Sequence, residues 1–346
     1  MKFQNLAKIT LFFLICLLVV ACHNENRIDT SNIKVDLKIE RFDQDLSKIN
    51  PNRLREKLPD LQKKYPAFYK DYFEKILSLG STDNGEYINI LEKVLSGKPF
   101  TDLQHETDSV YPNLEAQKPE LIDAFKHIKY YYPNWKAPKL ITYISGFQVQ
   151  TPIGNGYVGI GLDMFLGNKS KFYPALVESV PRYISRRFTP ENITPRVVEV
   201  ITREDLFPES DADKSLLSKM IYSGKLMYFM KAVQPNLADS TIIGYSKPQM
   251  AWANSFESDI WAYFLEQNLL YNTDYMKIQK YLAEAPFTPG LGEKNDSAPK
   301  LGVFIGWQIV KHYMENNSEI DLKKLMLMTD PQLILTKAKY HPNQKK

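Results

Sequence analysis

Cysteine is nearly absent: Cys16 and Cys22 are the only two in 346 residues. Cys16 sits inside an apolar run and Cys22 at its polar edge, so the body of the chain has no disulfide framework and no cysteine-ligated metal site. Glycine is scarce too, 15 residues against 21 tyrosines and 18 phenylalanines, which argues against a glycine-turned sandwich or barrel and against a glycine-dense nucleotide cradle. The five histidines are His23, His105, His127, His312 and His341, and no two lie four apart. A His-Glu-x-x-His zinc helix needs two imidazoles one turn apart with a general-base glutamate between them, and that pair is missing. His105-Glu106 lacks the second imidazole and reads as a surface helix segment. There is no Gly-x-Ser-x-Gly elbow, no Walker A sequence and no dinucleotide fingerprint. Charge of one sign is nowhere concentrated: 44 basic and 40 acidic residues leave +4, which implies no nucleic-acid partner.

What is present is the ordinary mix of a protein with a core, 44% hydrophobic and 24% charged, tilted toward helices. The first residues are the most informative. Lys2 and Lys8 precede an apolar run from Ile9 to Val20, then Ala21, Cys22 and the polar His23-Asn24-Glu25-Asn26. A basic start, a short apolar stretch and a small residue at its edge make a secretory signal. Twelve residues span only about 18 Å of helix, short of the ~30 Å hydrocarbon layer. Leu18-Val19-Val20-Ala21-Cys22 resembles the bacterial lipobox, in which the cysteine thiol receives a diacylglyceryl group and the new amino terminus an acyl chain such as palmitate. The expected partition is a signal peptide over 1–21, a lipid-anchored linker over 22–32, a helical lobe over 33–135, a second lobe over 136–340 and a tail over 341–346.

Within the body, Ile33, Val35, Leu37 and Ile39 alternate with Lys34, Asp36 and Lys38, the pattern of a half-buried strand. Asn50-Pro51 reads as an N-cap with proline in the first turn, followed by Leu54, Leu58 and Leu61 on one helical face; a second helix is expected after Pro66 with Tyr69, Tyr72, Phe73, Ile76 and Leu77 inward. Further helices are expected over 86–95, 102–114 and 119–130. Leu140–Val149 and Tyr157–Leu162, joined through the turn Pro152-Ile153-Gly154-Asn155-Gly156, predict a β-hairpin. Helical periods follow at 172–187, 195–206, 213–234, 247–268, 273–284, 301–316 and 331–337, with Asp211-Ala212-Asp213 as a helix cap. His127, beside Tyr130-Tyr131-Tyr132, is expected to pack on aromatic rings, and His312 to sit near a helix's carbonyl end. The fold class is mainly α with a small antiparallel sheet.

Four segments carry a family resemblance: Glu40-Arg41-Phe42-Asp43-Gln44-Asp45-Leu46; Asp259-Ile260-Trp261-Ala262-Tyr263-Phe264-Leu265-Glu266 continuing to Asp274; Ala285-Pro286-Phe287-Thr288; and Pro299-Lys300-Leu301-Gly302-Val303-Phe304-Ile305-Gly306-Trp307 continuing to Met314. With the lipobox and the closing Lys339-Tyr340-His341-Pro342, the chain resembles the GldB gliding-motility lipoproteins of Bacteroidetes over essentially its whole mature length. The resemblance implies a cell-envelope protein held on the periplasmic face or in the outer membrane by the lipid on Cys22, with other gliding-machinery or secretion proteins as partners. That family is similar in turn to predicted zinc-dependent peptidases, implying a zincin-like C-terminal lobe packed on the helical N-terminal lobe.

Laying the peptidase motif on Pro195–Glu204 puts Val198 and Thr202 where the imidazoles belong and keeps only Glu199. Valine has no lone pair and threonine is a poor zinc ligand, so the resemblance implies a pseudo-peptidase without metal, cofactor or catalytic residues. Glu199 also reads simply as a partner of Arg203 at i+4. Gly302 and Gly306, four apart, leave one helix face bare while Trp307 supplies bulk elsewhere, an arrangement suited either to close packing in the core or to an interaction groove. The leading expectation is a non-catalytic binding or scaffold protein. The alternatives are an active peptidase-like hydrolase of the envelope and a lipoprotein that binds peptidoglycan or polysaccharide, for which the 12% aromatic content is suggestive.

Overall fold

A computed structural model describes residues 28–210, 212–292 and 296–342. The expected signal segment and Cys22, the expected lipidation site, lie outside the described residues, as do Asp211 and the last lysines of the tail. Val35–Lys346 forms one compact unit. It is helix-rich around a four-stranded sheet of β1 (Ile39–Arg41), β2 (Lys139–Tyr143), β3 (Ile153–Gly154) and β4 (Tyr157–Gly161), in the order β1-β2-β4-β3.

The sheet is mixed rather than antiparallel. β1 runs parallel to β2 and β2 parallel to β4, with Leu140 opposite Val158; only β3 is antiparallel, Ile153 facing Val158. The predicted hairpin therefore has a different partner. Gly156, at φ +77°, turns the chain as expected, but the arm that folds back on β4 is the return segment Gln150–Gly154, and the amides of Gly159 and Gly161 donate to the carbonyls of Pro152 and Gln150. The β-branched run after Lys139 could not reveal this, because a buried parallel strand and a hairpin arm share the same composition. The expected strand from Ile33 pairs only from Ile39 onward; its alternation survives as half-buried Val35 and Leu37 packed on the core.

Side chains alternate across the sheet, so its two faces feed two apolar clusters. Ile141, Tyr143 and Tyr157 face an aromatic cluster built from residues 42–91; Leu140, Val158 and Ile160 face the larger one. The smaller cluster comes from α1 (Phe42–Ser47), α2 (Leu54–Lys64), α3 (Pro66–Lys70), the π-helical turn Asp71–Ile76 and α4 (Tyr87–Ser96). Leu54, Leu58 and Leu61 are buried as their spacing requires, and Asn50 caps the first turn by accepting from the Asn52 amide. Phe42 lies at the centre, with Tyr72, Phe68 and Tyr65 at 4.7, 4.9 and 5.1 Å in edge-on geometry. Edge-on rings bring positive edges to negative faces and add about 0.5–1.5 kcal/mol per pair to burial.

α5 (Lys98–Val110) and α6 (Lys118–Tyr131) pack instead with the larger cluster, so the two clusters part well before residue 135. His105 is exposed on α5. His127 is buried on α6 with Nδ1 2.9 Å from the Asp123 carbonyl, which replaces the expected ring packing. The larger cluster also takes α7 (Ile193–Val200, continued by a π-helical turn to Leu206), α8 (Leu216–Val233), α9 (Lys247–Ser255), α10 (Glu257–Glu266), α11 (Leu301–Asn316) and α12 (Pro331–Ala338). Three expected helices are shorter or broken. The 172–187 pattern yields only turns around Pro174 and Pro181, each lacking an amide donor. The 247–268 pattern breaks at Phe256, which leaves helical backbone values, and 273–284 yields a single turn, Tyr275–Ile278, then a 3-10 turn. Ser215 caps α8, accepting from the Ser218 amide, while Asp213 accepts from Ser215. His312 stands edge-on to Tyr340 at 5.2 Å.

α8 and α11 form the spine. Gly224 and Gly306 meet at the crossing, where a Cβ on Gly306 would lie 1.9 Å from the Met220 carbonyl oxygen and one on Gly224 2.3 Å from that of Gly306. Gly302 packs less tightly, its Cβ position lying 2.8 Å from the Tyr281 carbonyl oxygen. Trp307 is fully buried, with the Lys311 ammonium 4.1 Å from its ring centre. The small-residue face is thus spent on backbone contact inside the molecule.

Candidate functional site

The helix onto which the peptidase motif was laid presents two unlike faces. Val198 and Thr202, one turn apart, both point into the large cluster and are fully buried; the Thr202 hydroxyl donates to the Val198 carbonyl at 2.7 Å. The positions that would hold imidazoles are therefore part of the apolar packing. Among the described residues no group of three or more His, Cys, Asp or Glu is placed to hold a metal ion.

The other face of α7 carries Arg196, Glu199 and Arg203, at i, i+3 and i+7, and borders a cavity of about 860 Å³. Glu199 is ion-paired to Arg196 and lies 3.8 Å from Arg203, and Arg196 Nε donates to the Gln150 side chain at 3.0 Å. The i+4 pairing with Arg203 is present, but the nearer partner, Arg196, is three residues back.

Across the cavity stand Arg187, Glu284 and Lys300. Arg187 is 3.1 Å from Glu284, which also pairs with Lys300. Lys300 immediately precedes α11 with left-handed backbone, φ +41°, so a bulky cation occupies a strained position at the positive end of a 16-residue helix. Gly244, at φ +79°, makes room for Arg187: a Cβ there would lie 2.3 Å from its Nη1, and the Gly244 carbonyl accepts from Arg186 at 2.6 Å.

These groups act on one another. Burial alone would raise the Glu199 carboxyl, but Arg196, Arg203, Lys300 and Arg187 together outweigh it and hold it below the usual carboxylate range. Glu284 behaves likewise under Lys300, Arg187 and Arg196. Lys300 moves the opposite way: burial and the nearby Arg187 push its ammonium down despite Glu284. Four cations face two carboxylates in one network, and Arg187 Nε is buried with no hydrogen-bond partner. Such an arrangement can attract and orient an anion.

Of this set only Glu199 stood out in the sequence, and for another reason. A charged stripe at i, i+3 and i+7 on an otherwise apolar helix (Val197, Val198, Val200, Ile201) was a legible signal for a polar face. Arg187, Glu284 and Lys300 come from separate segments, and nothing local ties them to α7. Gly302, Gly306 and Trp307 lie at the α8–α11 crossing and in the core, and open onto no surface groove. No helix among the described residues is long and apolar enough to cross a membrane.

No curated protein matches the chain, and no solved structure does. The family model described as gliding motility protein GldB, by contrast, matches residues 23–342, which takes in both apolar clusters, the sheet and every residue of the cavity. The chain therefore belongs to the GldB gliding motility protein family.

Proposed function

We propose that this family member works in gliding motility as a non-catalytic binding component of the cell envelope, tethered by lipid on Cys22 and joined to the gliding and secretion machinery. The observation that carries the reading is the orientation of α7. Its would-be ligand positions, Val198 and Thr202, are locked in the core, and its glutamate faces a cavity where arginines hold it ionised. A metal-assisted hydrolase needs open ligand positions and a base free to take a proton. A binding site needs a fixed concave surface with a few charged groups.

The tether follows from the lipobox at Leu18–Cys22. One acyl chain gives marginal membrane attachment at about 0.8 kcal/mol per buried CH₂, and several give durable attachment. Cys22→Ser is expected to leave the body folded and move it from the membrane fraction to the soluble fraction. Fractionation with an acyl label checks this, and membrane retention of the unlabelled variant would overturn the tether. Glu199→Gln is the companion test of the non-catalytic reading: gliding is expected to persist at unchanged protein level.

A further inference from the structure

We infer that the cavity beside α7 binds an organic acid, a phosphate or carboxylate head group carried on an apolar body. The inference rests on the binding reading above and names the ligand class.

The head group is argued from charge. Arg187, Arg196, Arg203 and Lys300 face only Glu199 and Glu284, and the rim adds Lys214 and Lys219 against Glu209. An uncompensated buried charge is costly, so a surplus of one sign calls for a counter-ion or for solvent. Here the excess is positive at both depth and rim. A phosphate or carboxylate would cancel the inner excess, and guanidinium forks suit both groups. Arg187 Nε, buried and unpartnered, is a donor left over after Glu284 has been satisfied; among the described residues Asp108 Oδ1, Thr194 Oγ1 and Trp307 Nε1 also lack partners, but of the four only Arg187 borders the cavity. The strained backbone of Lys300 is a second cost borne at the same place, and such costs concentrate at ligand sites.

The apolar body is argued from room and lining. A cavity of about 860 Å³ is far larger than a bare anion and falls in the range of small-molecule sites. Away from the charged wall it is lined by Met227 and Met230 of α8, Ile278, Leu282 and Val303. Methionine-lined walls adapt to unbranched or irregular apolar groups.

The test uses calorimetric titration of the purified full chain with octyl phosphate, octanoate, octan-1-ol, octyltrimethylammonium and inorganic phosphate. At least one of the two octyl anions is expected to bind about tenfold or more tightly than the alcohol, as one or two charge-assisted bonds would provide. The stronger of the two identifies the head group. Arg187→Gln is expected to weaken that anion about tenfold. Because this variant also loses a buried ion pair, Arg203→Gln at the more open wall and the salt dependence of the unaltered protein serve as second readouts, both expected to weaken binding. Equal affinity for octan-1-ol, no binding of either anion, or inorganic phosphate binding as tightly as octyl phosphate would each overturn the inference. Recovery of the probes separates this from the broader reading. Octyl phosphate returned as octanol would overturn the non-catalytic reading while leaving the site in place. Failure of both octyl anions to bind, with every probe recovered intact, would overturn the site and leave the non-catalytic reading in place.

Discussion

Two groups of buried charge in this molecule differ in how they balance. Beside strands β1 and β2, Arg41 grips Asp43 at 2.6 Å, Asp43 accepts from the Thr142 hydroxyl at 2.5 Å, and Arg41 spends another donor on the Tyr111 carbonyl at 2.9 Å. One cation meets one carboxylate, and the remaining bonds join α1 to β2 and β1 to the end of α5. In the cavity, four cations meet two carboxylates and a guanidinium nitrogen is left over. The first group fixes where segments sit. The second keeps positive potential in a concave space, and a fold that needed only stability would have little use for it.

The comparison is sharpest where its two halves are cut. Asp43→Ala leaves Arg41 buried without its counter-charge and removes the link to β2. The expected loss is about 3–5 kcal/mol, the range for breaking one partner of a buried pair. Urea denaturation should show it as a lower midpoint at nearly unchanged slope. A loss under about 1 kcal/mol would mean that the balanced pair is no more structural than an exposed one.

A smaller loss is expected at the α8–α11 crossing, which holds the wall of the cavity together without any charge. Gly306→Ala places a methyl group 1.9 Å from the Met220 oxygen, a backbone atom that cannot swing aside, so the helices must part. The expected cost is about 1–3 kcal/mol, as for other over-packed cores. Since Met227 and Met230 of α8 and Val303 of α11 line the cavity, the variant should also weaken binding of the octyl anion. A stable variant with intact binding would show that the crossing does not set the cavity's shape.

How much of this was legible in the sequence depends on the range of the interaction. Asn50-Pro51, the Leu54–Leu58–Leu61 face and the bounds of α11 are local and were read correctly, because caps and a 3.6-residue period act within a few turns. The parallel pairing of β2 with β4 was not, since register between separate segments leaves no local mark. Turn residues were read correctly, but their strand partner was not. The family segments divide the same way. Glu40–Leu46 became the aromatic keystone and the Gly302–Trp307 block a helix crossing, while Lys300, at the edge of that same block, turned out to face the cavity. Nothing in the order of residues brings Arg187, Arg196 and Glu284 together; only the packed fold does.

The smallest expected effect is the most discriminating one. Arg203 keeps over a third of its side chain exposed and lies 3.8 Å from a carboxylate that Arg196 already holds. Removing its charge as Arg203→Gln takes away one member of an over-supplied set, so the loss of attraction to Glu199 is offset by relief of repulsion from the other cations. Exposed pairs of this geometry contribute about 0–1 kcal/mol, and the offset moves the expectation toward zero. Denaturation should place the variant within about 0.5 kcal/mol of the parent, with the octyl anion bound more weakly. If Arg203→Gln instead destabilised the chain as severely as Asp43→Ala, the cavity's charges would be structural like the Arg41–Asp43 pair, and their imbalance would need an explanation other than a ligand.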